Sequence, residues 1–262
     1  MVAKIADDIV LPGLGRGHLD RIGEKNQPLE NLRAGFEKER YVLIRHFLEE
    51  PLPSLFFRYA TMHAQVGATL DDPMVPHSQY LYGDPLMEST LELCRPAIES
   101  IIGLQLIPTY AYCRIYKQGD VLNVHKDRPA CEISATMTLG YDLHDIRRKK
   151  PEYSWPIIVE GKSFVCEPGE ILLYHGCELR HWREAFEGYY QAQLFMHYVD
   201  RNGPFTAEKY DTRPALGLPD FTRGAPTLDE AHKRIRKQYK IDSVMRQYRQ
   251  RRLNAAEDTC CS

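Results

Sequence analysis

Apolar residues recur at two periods along this chain, and the period changes near residue 104. Before that point helical spacing prevails. Residues 28–50 predict a helix and then a short strand at Tyr41–Arg45, and Pro51 and Pro53 suit the first turn of a second helix. Residues 84–103 carry apolar positions at a period of about 3.6 and run into Gly103, a helix stop, with Pro96 inside as a candidate kink. From Leu104 the spacing falls to two. LIPTYAYCRIY places Tyr110, Tyr112, Arg114 and Tyr116 on one face and Ala111, Cys113 and Ile115 on the other.

Short β-rich runs follow: VLNVHKD, CEISATMTLGYD, WPIIVEG, KSFVCEPGEILLYHG, RHWRE and YYQAQLFMHYVD, divided by turn signals such as Glu160-Gly161 and Pro168-Gly169-Glu170. Strands at such spacing with no helical insert predict an antiparallel double-sheet jelly roll, with the N-terminal helices packed on one outer face. The fold class is therefore α+β, mainly β with flanking helices. The expected organisation is one domain over 1–262: a helical region 1–103, a jelly-roll core 104–200, and a C-terminal loop and basic helix 201–262.

After Asp200 the chain is rich in Pro and Gly to about Pro226, and Thr227 is a candidate N-cap. Residues 231–252 hold nine basic side chains against one acidic, Asp242. Such a run is usually a solvated face, with an anionic partner as the alternative. Ile235, Tyr239, Val244 and Tyr248 would seat one side of that helix on the barrel.

Composition narrows the class without choosing a function. Hydrophobic content of 43%, charged content of 27% and a formal net charge of −2 are ordinary for a globular protein and exert no general pull on nucleic acid or membranes. No stretch approaches the ~20 apolar residues of a membrane span, and the N-terminus lacks the apolar run of a secretory signal. The seven cysteines, odd in number and without Cys-x-x-Cys, argue against a disulfide framework or structural zinc and for a reducing, cytoplasmic setting.

The candidate chemistry lies in His125-Lys126-Asp127 and His181. Two residues apart at a strand end, His125 and Asp127 point the same way. A histidine from a neighbouring strand would complete a two-nitrogen, one-carboxylate face, the ligand set that suits non-haem Fe(II) and O2.

YCRIYKQGDVLNVHKDRPACEISATMTLGYD, followed by EPGEILLYHGCELRHWREAFEGYYQAQLFMHYV, resembles the Fe(II)/2-oxoglutarate-dependent oxygenase superfamily, its prolyl-hydroxylase-like branch most closely. The likeness covers about residues 105–199. It rests on the ordered His-x-Asp, hairpin, Pro-Gly-Glu turn and a histidine 56 residues after the first. The resemblance implies a cupin-like double-stranded β-helix with His125, Asp127 and His181 as catalytic metal ligands. It also implies Fe(II) as cofactor, 2-oxoglutarate and O2 as co-substrates, and succinate and CO2 as by-products. Because Asp127 is present, hydroxylation is favoured over halogenation. The substrate would be an amino acid, a peptide or protein side chain, or a small natural product.

One departure stands out. Where that branch carries an Arg or Lys for the distal carboxylate of the co-substrate, this chain reads Tyr190-Gln191-Ala192-Gln193. Strand parity makes Arg183, two residues after His181, the first replacement, then Arg114, then Arg128. Each could instead pair with Glu132, Glu170 or Glu178. Tyr116, Thr138, Gln191 and Gln193 are candidate polar contacts. His197 is expected on the pocket face, His175 at the rim, His144 and His232 exposed, Trp182 and Phe186 outside the barrel, Trp155 at a strand start, and Tyr80 and Tyr82 over the substrate mouth.

Two rival readings remain at this stage. The first is a non-oxidative cupin-like metalloprotein, an isomerase or binding module. The second is a silent β-sandwich that recruits partners through residues 231–252.

Overall fold

Alternation in the long strands builds one large sheet with two unlike faces. The structure is a computed structural model that describes Ile22 and residues 28–240. Helix α1 (Leu29–Glu39) leads into β1 (Tyr41–Ile44), α2 (Leu52–Gln65), β2 (Leu70–Asp71), β3 (Gln79–Tyr82) and α3 (Pro85–Ile102). Strands β4 (Leu106–Lys117), β5 (Leu122–His125) and β6 (Ile133–Asp142) follow. Helix α4 (His144–Lys149) separates them from β7 (Ile157–Val159), β8 (Lys162–Phe164), β9 (Ile171–His175), β10 (His181–Arg183) and β11 (Tyr190–Asp200). Helix α5 (Leu228–Gln238) comes last.

Helix α3 shows how local chemistry sets an element. Asp84 caps it by accepting from the backbone N–H of Leu86 and Met87 (3.0 and 3.1 Å), and Pro85 occupies the first turn. Gly103, at φ 76°, ends it in the left-handed conformation, as expected. The helix continues through Pro96. Thr227 caps α5, its hydroxyl accepting from the Glu230 N–H at 3.2 Å. Val244 and Tyr248, expected on that helix, lie outside the described residues.

The strands form a seven-stranded sheet in the order β1-β9-β6-β11-β4-β3-β2 and a four-stranded sheet, β5-β10-β7-β8, with every pairing antiparallel. The two sheets face each other as a jelly roll. Tyr174 of β9 lies against His181 of β10, with ring centroids 4.9 Å apart. Val159 and Ile157 of β7 share a cluster with Leu172 and Tyr174.

The other face of the large sheet holds the main core. Ala111, Cys113 and Ile115 of β4, Ala135 and Met137 of β6, and Leu194 and Met196 of β11 pack there. They meet Phe36 of α1, Phe56 and Ala60 of α2, and Leu91, Cys94 and Ile98 of α3. The N-terminal helices thus cover one outer face, as alternation predicts, while β1, β2 and β3 extend the large sheet from the same stretch of chain.

Three expectations need correction. A helical insert does interrupt the strands: α4 begins where Asp142 Oδ1 accepts from the His144 N–H (3.1 Å), and Arg147, Arg148 and Lys149 in its last turn complement the helix dipole. Phe186 is buried against Trp155 and Tyr116 rather than lying outside, because the turn before β11 is tied to the β4–β5 turn: the Phe186 N–H donates to the Asp120 carbonyl (2.9 Å) and its carbonyl accepts from the Gly119 N–H (2.8 Å). His175 is not at the rim. It shares parity with Ile171 and Leu173, so its ring stacks on Phe36 beneath α1 at 5.0 Å. Trp155 stands just ahead of β7, its indole N–H donating to the Glu184 carbonyl (2.8 Å). No helix among the described residues is long and apolar enough to cross a membrane.

Candidate active site

Pairing in the small sheet brings the three predicted ligands together. His181 sits directly opposite His125 across the β10–β5 ladder, with ring centroids 4.2 Å apart. Asp127 leaves β5 two residues later and turns back. Its Oδ1 lies 3.6 Å from His125 Nε2 and 3.5 Å from His181 Nε2.

Both rings are oriented from behind. Nδ1 of His125 is 2.8 Å from the Asn123 carbonyl, and Nδ1 of His181 is 3.1 Å from that of Leu179. A carbonyl can only accept, so each Nδ1 carries the proton and each Nε2 presents its lone pair inward. Burial, and then the neighbouring His181, lower the pKa of His125 and favour the neutral ligand form.

Asp127 is fixed equally firmly. Ser134 Oγ donates to its Oδ2 at 2.8 Å, and its backbone N–H donates to the Gly176 carbonyl at 2.9 Å. Burial works against the ionised carboxyl, but the adjoining His181 and His197 rings and the Ser134 hydroxyl more than offset it and hold its pKa at about 2. Two lone-pair nitrogens and one ionised oxygen within 4.8 Å of one another fit a divalent metal such as ferrous iron.

Deeper in the barrel the inward face turns polar. Gln193 faces Arg114 on one side and Thr138 on the other. Its Oε1 accepts from Thr138 Oγ1 and from Gln191 Nε2 (both 3.1 Å), and its Nε2 donates to Thr136 Oγ1 (2.7 Å). The Tyr116 hydroxyl accepts from Arg114 at 2.9 Å. Below His181 stands Arg183, 1% exposed, with its guanidinium 4.5 Å over the Trp155 ring and one N–H donating to the Trp155 carbonyl (2.8 Å).

The three arginine candidates differ in their partners. Arg114 Nε donates to Asp72 Oδ2 at 2.6 Å. Arg128 grips Asp211 with both terminal nitrogens, at 2.6 and 2.8 Å. Arg183 has no carboxylate within ion-pair distance among the described residues, and its Nε is buried without a hydrogen-bond partner. The acids offered as alternatives are engaged elsewhere: Glu170 by Arg45, Glu178 by Arg40, and Glu132 by the Asp200 N–H. Burial pushes the Arg183 pKa below its usual value. A guanidinium buried without a counter-charge costs several kcal/mol, so this position fits a bound carboxylate.

Above the triad opens a cavity of about 300 Å³. Tyr80 and Tyr82 of β3 line it, as expected of a segment over the mouth, with Tyr110, Tyr112, Phe195 and His197 from the large sheet. Tyr80 and Tyr112 stack with centroids 4.6 Å apart and planes 9° apart. His197 is buried, and its Nδ1 lies 3.0 Å from Ser134 Oγ.

Sequence reading missed four supporting residues. Asp72 is buried and holds Arg114 and the Tyr112 hydroxyl, and Asp211 holds Arg128 and Tyr82. Ser134 orients Asp127 from the start of β6. Gly176 has a steric duty: a Cβ there would run into Asp127 Oδ2, the Cys131 carbonyl and Ser134 Oγ. For Asp72 and Asp211, nothing local reveals partners 40 to 130 residues away.

No family model matches the chain, and no curated protein does. Solved structures do. A Pseudomonas putida prolyl-4-hydroxylase aligns at a TM-score of 0.51 with 16% identity, covering 66% of this chain and 100% of the other. The nogalamycin-biosynthesis epimerase SnoN, solved with Fe3+ and alpha ketoglutarate, aligns at 0.55 with 13% identity over 73% and 92%. A Trichoplax adhaerens prolyl hydroxylase, bound to a hypoxia inducible factor peptide, aligns at 0.54 with 12% identity over 71% and 94%. The chain therefore has the jelly-roll fold of the Fe(II)/2-oxoglutarate oxygenases.

Proposed function

We propose that this chain is an Fe(II)- and 2-oxoglutarate-dependent dioxygenase that hydroxylates a C–H bond of an amino acid, a peptide or protein side chain, or a small natural product. The observation that carries the reading is Arg183. Directly below a two-histidine, one-carboxylate face, the barrel buries a cation that nothing in the described protein neutralises. A five-carbon dicarboxylate with one end at the metal and the other at Arg183 answers both features.

His125, Asp127 and His181 would hold the iron, and Arg183 would take the distal carboxylate, displacing that duty from the last core strand to β10. Tyr116, Arg114, Thr138 and Gln193 would line the co-substrate's length. Gln193 is the hub of that lining, since its amide joins Thr136, Thr138 and Gln191 in one network. Arg114, neutralised by Asp72, would act as a hydrogen-bond donor and as the brace for the Tyr116 hydroxyl.

When bound, iron and co-substrate supply the oxidation: 2-oxoglutarate and O2 become succinate, CO2 and one oxygen atom delivered to the substrate. The protein's own contributions are orientation and exclusion of water. The carbonyls of Asn123 and Leu179 set both imidazole tautomers, Ser134 keeps Asp127 turned inward, and Trp155 and Phe186 pack with Tyr116 in a buried apolar cluster.

The test is succinate release from 2-oxoglutarate with Fe(II), alongside calorimetric binding of 2-oxoglutarate to Mn(II)-loaded protein. Binding that requires both the metal and Arg183 supports the reading. Absence of both binding and succinate release refutes it.

A further inference from the structure

We propose that the substrate is a free α-amino acid, its carboxylate held by Arg223 and its ammonium by Asp220 at the cavity mouth. This deepens the oxygenase reading and rests on it.

The observation is a pair of opposite charges held close together without meeting. Asp220 and Arg223 belong to one short 3₁₀ turn (Asp220–Thr222, with Arg223 as its cap), and both line the cavity above the triad. Residues three apart in such a turn stack above one another. No ion pair joins these two, and the Asp220 carboxylate accepts no hydrogen bond and forms no ion pair among the described residues, its charge acting on the neighbouring Tyr80 hydroxyl. The Arg223 Nε lies 2.8 Å from Asp211 Oδ2 and donates to the Tyr82 hydroxyl at 3.4 Å. The guanidinium lies over the Tyr82 ring, 5.0 Å from its centroid, and its two terminal nitrogens, the fork that grips a carboxylate bidentately, donate no hydrogen bond to the described residues.

Charge accounting around the cavity isolates the same two groups. Arg114 is neutralised by Asp72 and Arg128 by Asp211. Asp127 belongs to the metal face. Arg223 is then a second cation on an already matched Asp211, and Asp220 is an unmatched anion. A ligand with its own carboxylate and ammonium a bond or two apart answers both. A residue within a peptide carries neither charge and would leave both groups unanswered.

The mounting is built for position. Asp211 is almost fully buried, and it sits between Tyr210 and Thr212 in a run of three non-glycine residues at φ 54°, 56° and 60°. Conformations of that kind are strained for residues with a side chain and persist where surrounding contacts over-determine them. Here those contacts are Arg128, Arg223 and Tyr82, all on one carboxylate. Between this rim and the triad, Met74, Tyr80, Tyr112 and Phe195 leave a largely apolar space for a side chain.

The experiment measures succinate release by the Fe(II)-loaded full chain with each standard L-amino acid, after 2-oxoglutarate binding has been established. At least one is expected to stimulate release. Its methyl ester and its desamino analogue should each require about 10- to 100-fold more compound, as loss of a charged hydrogen bond dictates. Arg223→Gln should make acid and ester equivalent, Asp220→Asn should do so for amine and desamino compound, and both should keep the parent affinity for 2-oxoglutarate. Arg223→Lys, which retains charge without the fork, should recover part of the loss. If 2-oxoglutarate binds but no standard amino acid stimulates turnover, or if ester and desamino compounds serve as well as the parent, the proposal is overturned and the oxygenase reading stands. If 2-oxoglutarate itself fails to bind, both fall.

Discussion

Strands β4, β6 and β11 present two faces made from interleaved residues of the same chain, and the two faces obey different rules. Toward the helices stand Ala111, Cys113, Ala135, Met137, Leu194 and Met196, all buried and apolar. Toward the small sheet stand Arg114, Tyr116, Ser134, Thr136, Thr138, Gln191, Gln193 and His197, just as buried but polar. The first face gains free energy from removing hydrocarbon from water. The second must satisfy each donor and acceptor through side-chain partners, and across from it, on β10 of the small sheet, Arg183 stands without an acid among the described residues. Stability is concentrated on one side of the sheet, and ligand-binding capacity on the other.

The comparison can be broken most decisively at the metal face. His125→Ala or His181→Ala should reduce succinate release to background while far-UV circular dichroism and the melting transition stay close to the parent, because both rings sit at an open barrel end rather than in the helix-packed core. Unfolding of both variants would mean that the site also carries the fold.

Next comes Arg183→Met on the facing strand β10, where ligand binding and stability should move in opposite directions. Removing the distal anchor should raise the 2-oxoglutarate requirement at least about tenfold. Yet replacing an unpaired buried charge with an apolar side chain should leave the ligand-free protein as stable or up to about 4 kcal/mol more stable. Titration with 2-oxoglutarate and denaturant unfolding read the two effects separately. A destabilised variant with unaltered co-substrate affinity would make Arg183 structural.

Leu194→Ala tests the helix-facing side. It should cost about 2–5 kcal/mol of unfolding free energy through a cavity among Cys113, Met137 and the helices, while the concentration of 2-oxoglutarate required by the remaining folded protein is unchanged. A shift in that requirement would show that the two faces are coupled.

The smallest expected effect is pH dependence from His175. Burial, and then the charge of Arg40, lower its pKa from 6.5 to about 4. The unfolded chain therefore takes up a proton near pH 6.5 that the folded chain refuses. The contribution is fully present above that pH and is lost as pH falls toward 4, on the order of 1–3 kcal/mol. Denaturant unfolding at pH 7 and pH 5 should show this slope in the parent and a shallower one in His175→Gln.

Much of this was legible in the residues alone, for a physical reason. Strand parity is local, so the inward set Tyr110 to Tyr116 and the outward set Ala111 to Ile115 follow from alternation without knowledge of the fold. The same holds for the Thr227 cap, the Gly103 stop, and the direction shared by His125 and Asp127. Tertiary structure alone decided which groups meet across distant segments. It set the His181–His125 register, aligned Asp72 with Arg114 and Asp211 with Arg128 and Arg223, left Arg183 without an acid among the described residues, and brought Gly176 against the Asp127 carboxylate. Those outcomes depend on sheet order and on how loops close over the barrel mouth, and neither is written into the spacing of any one segment.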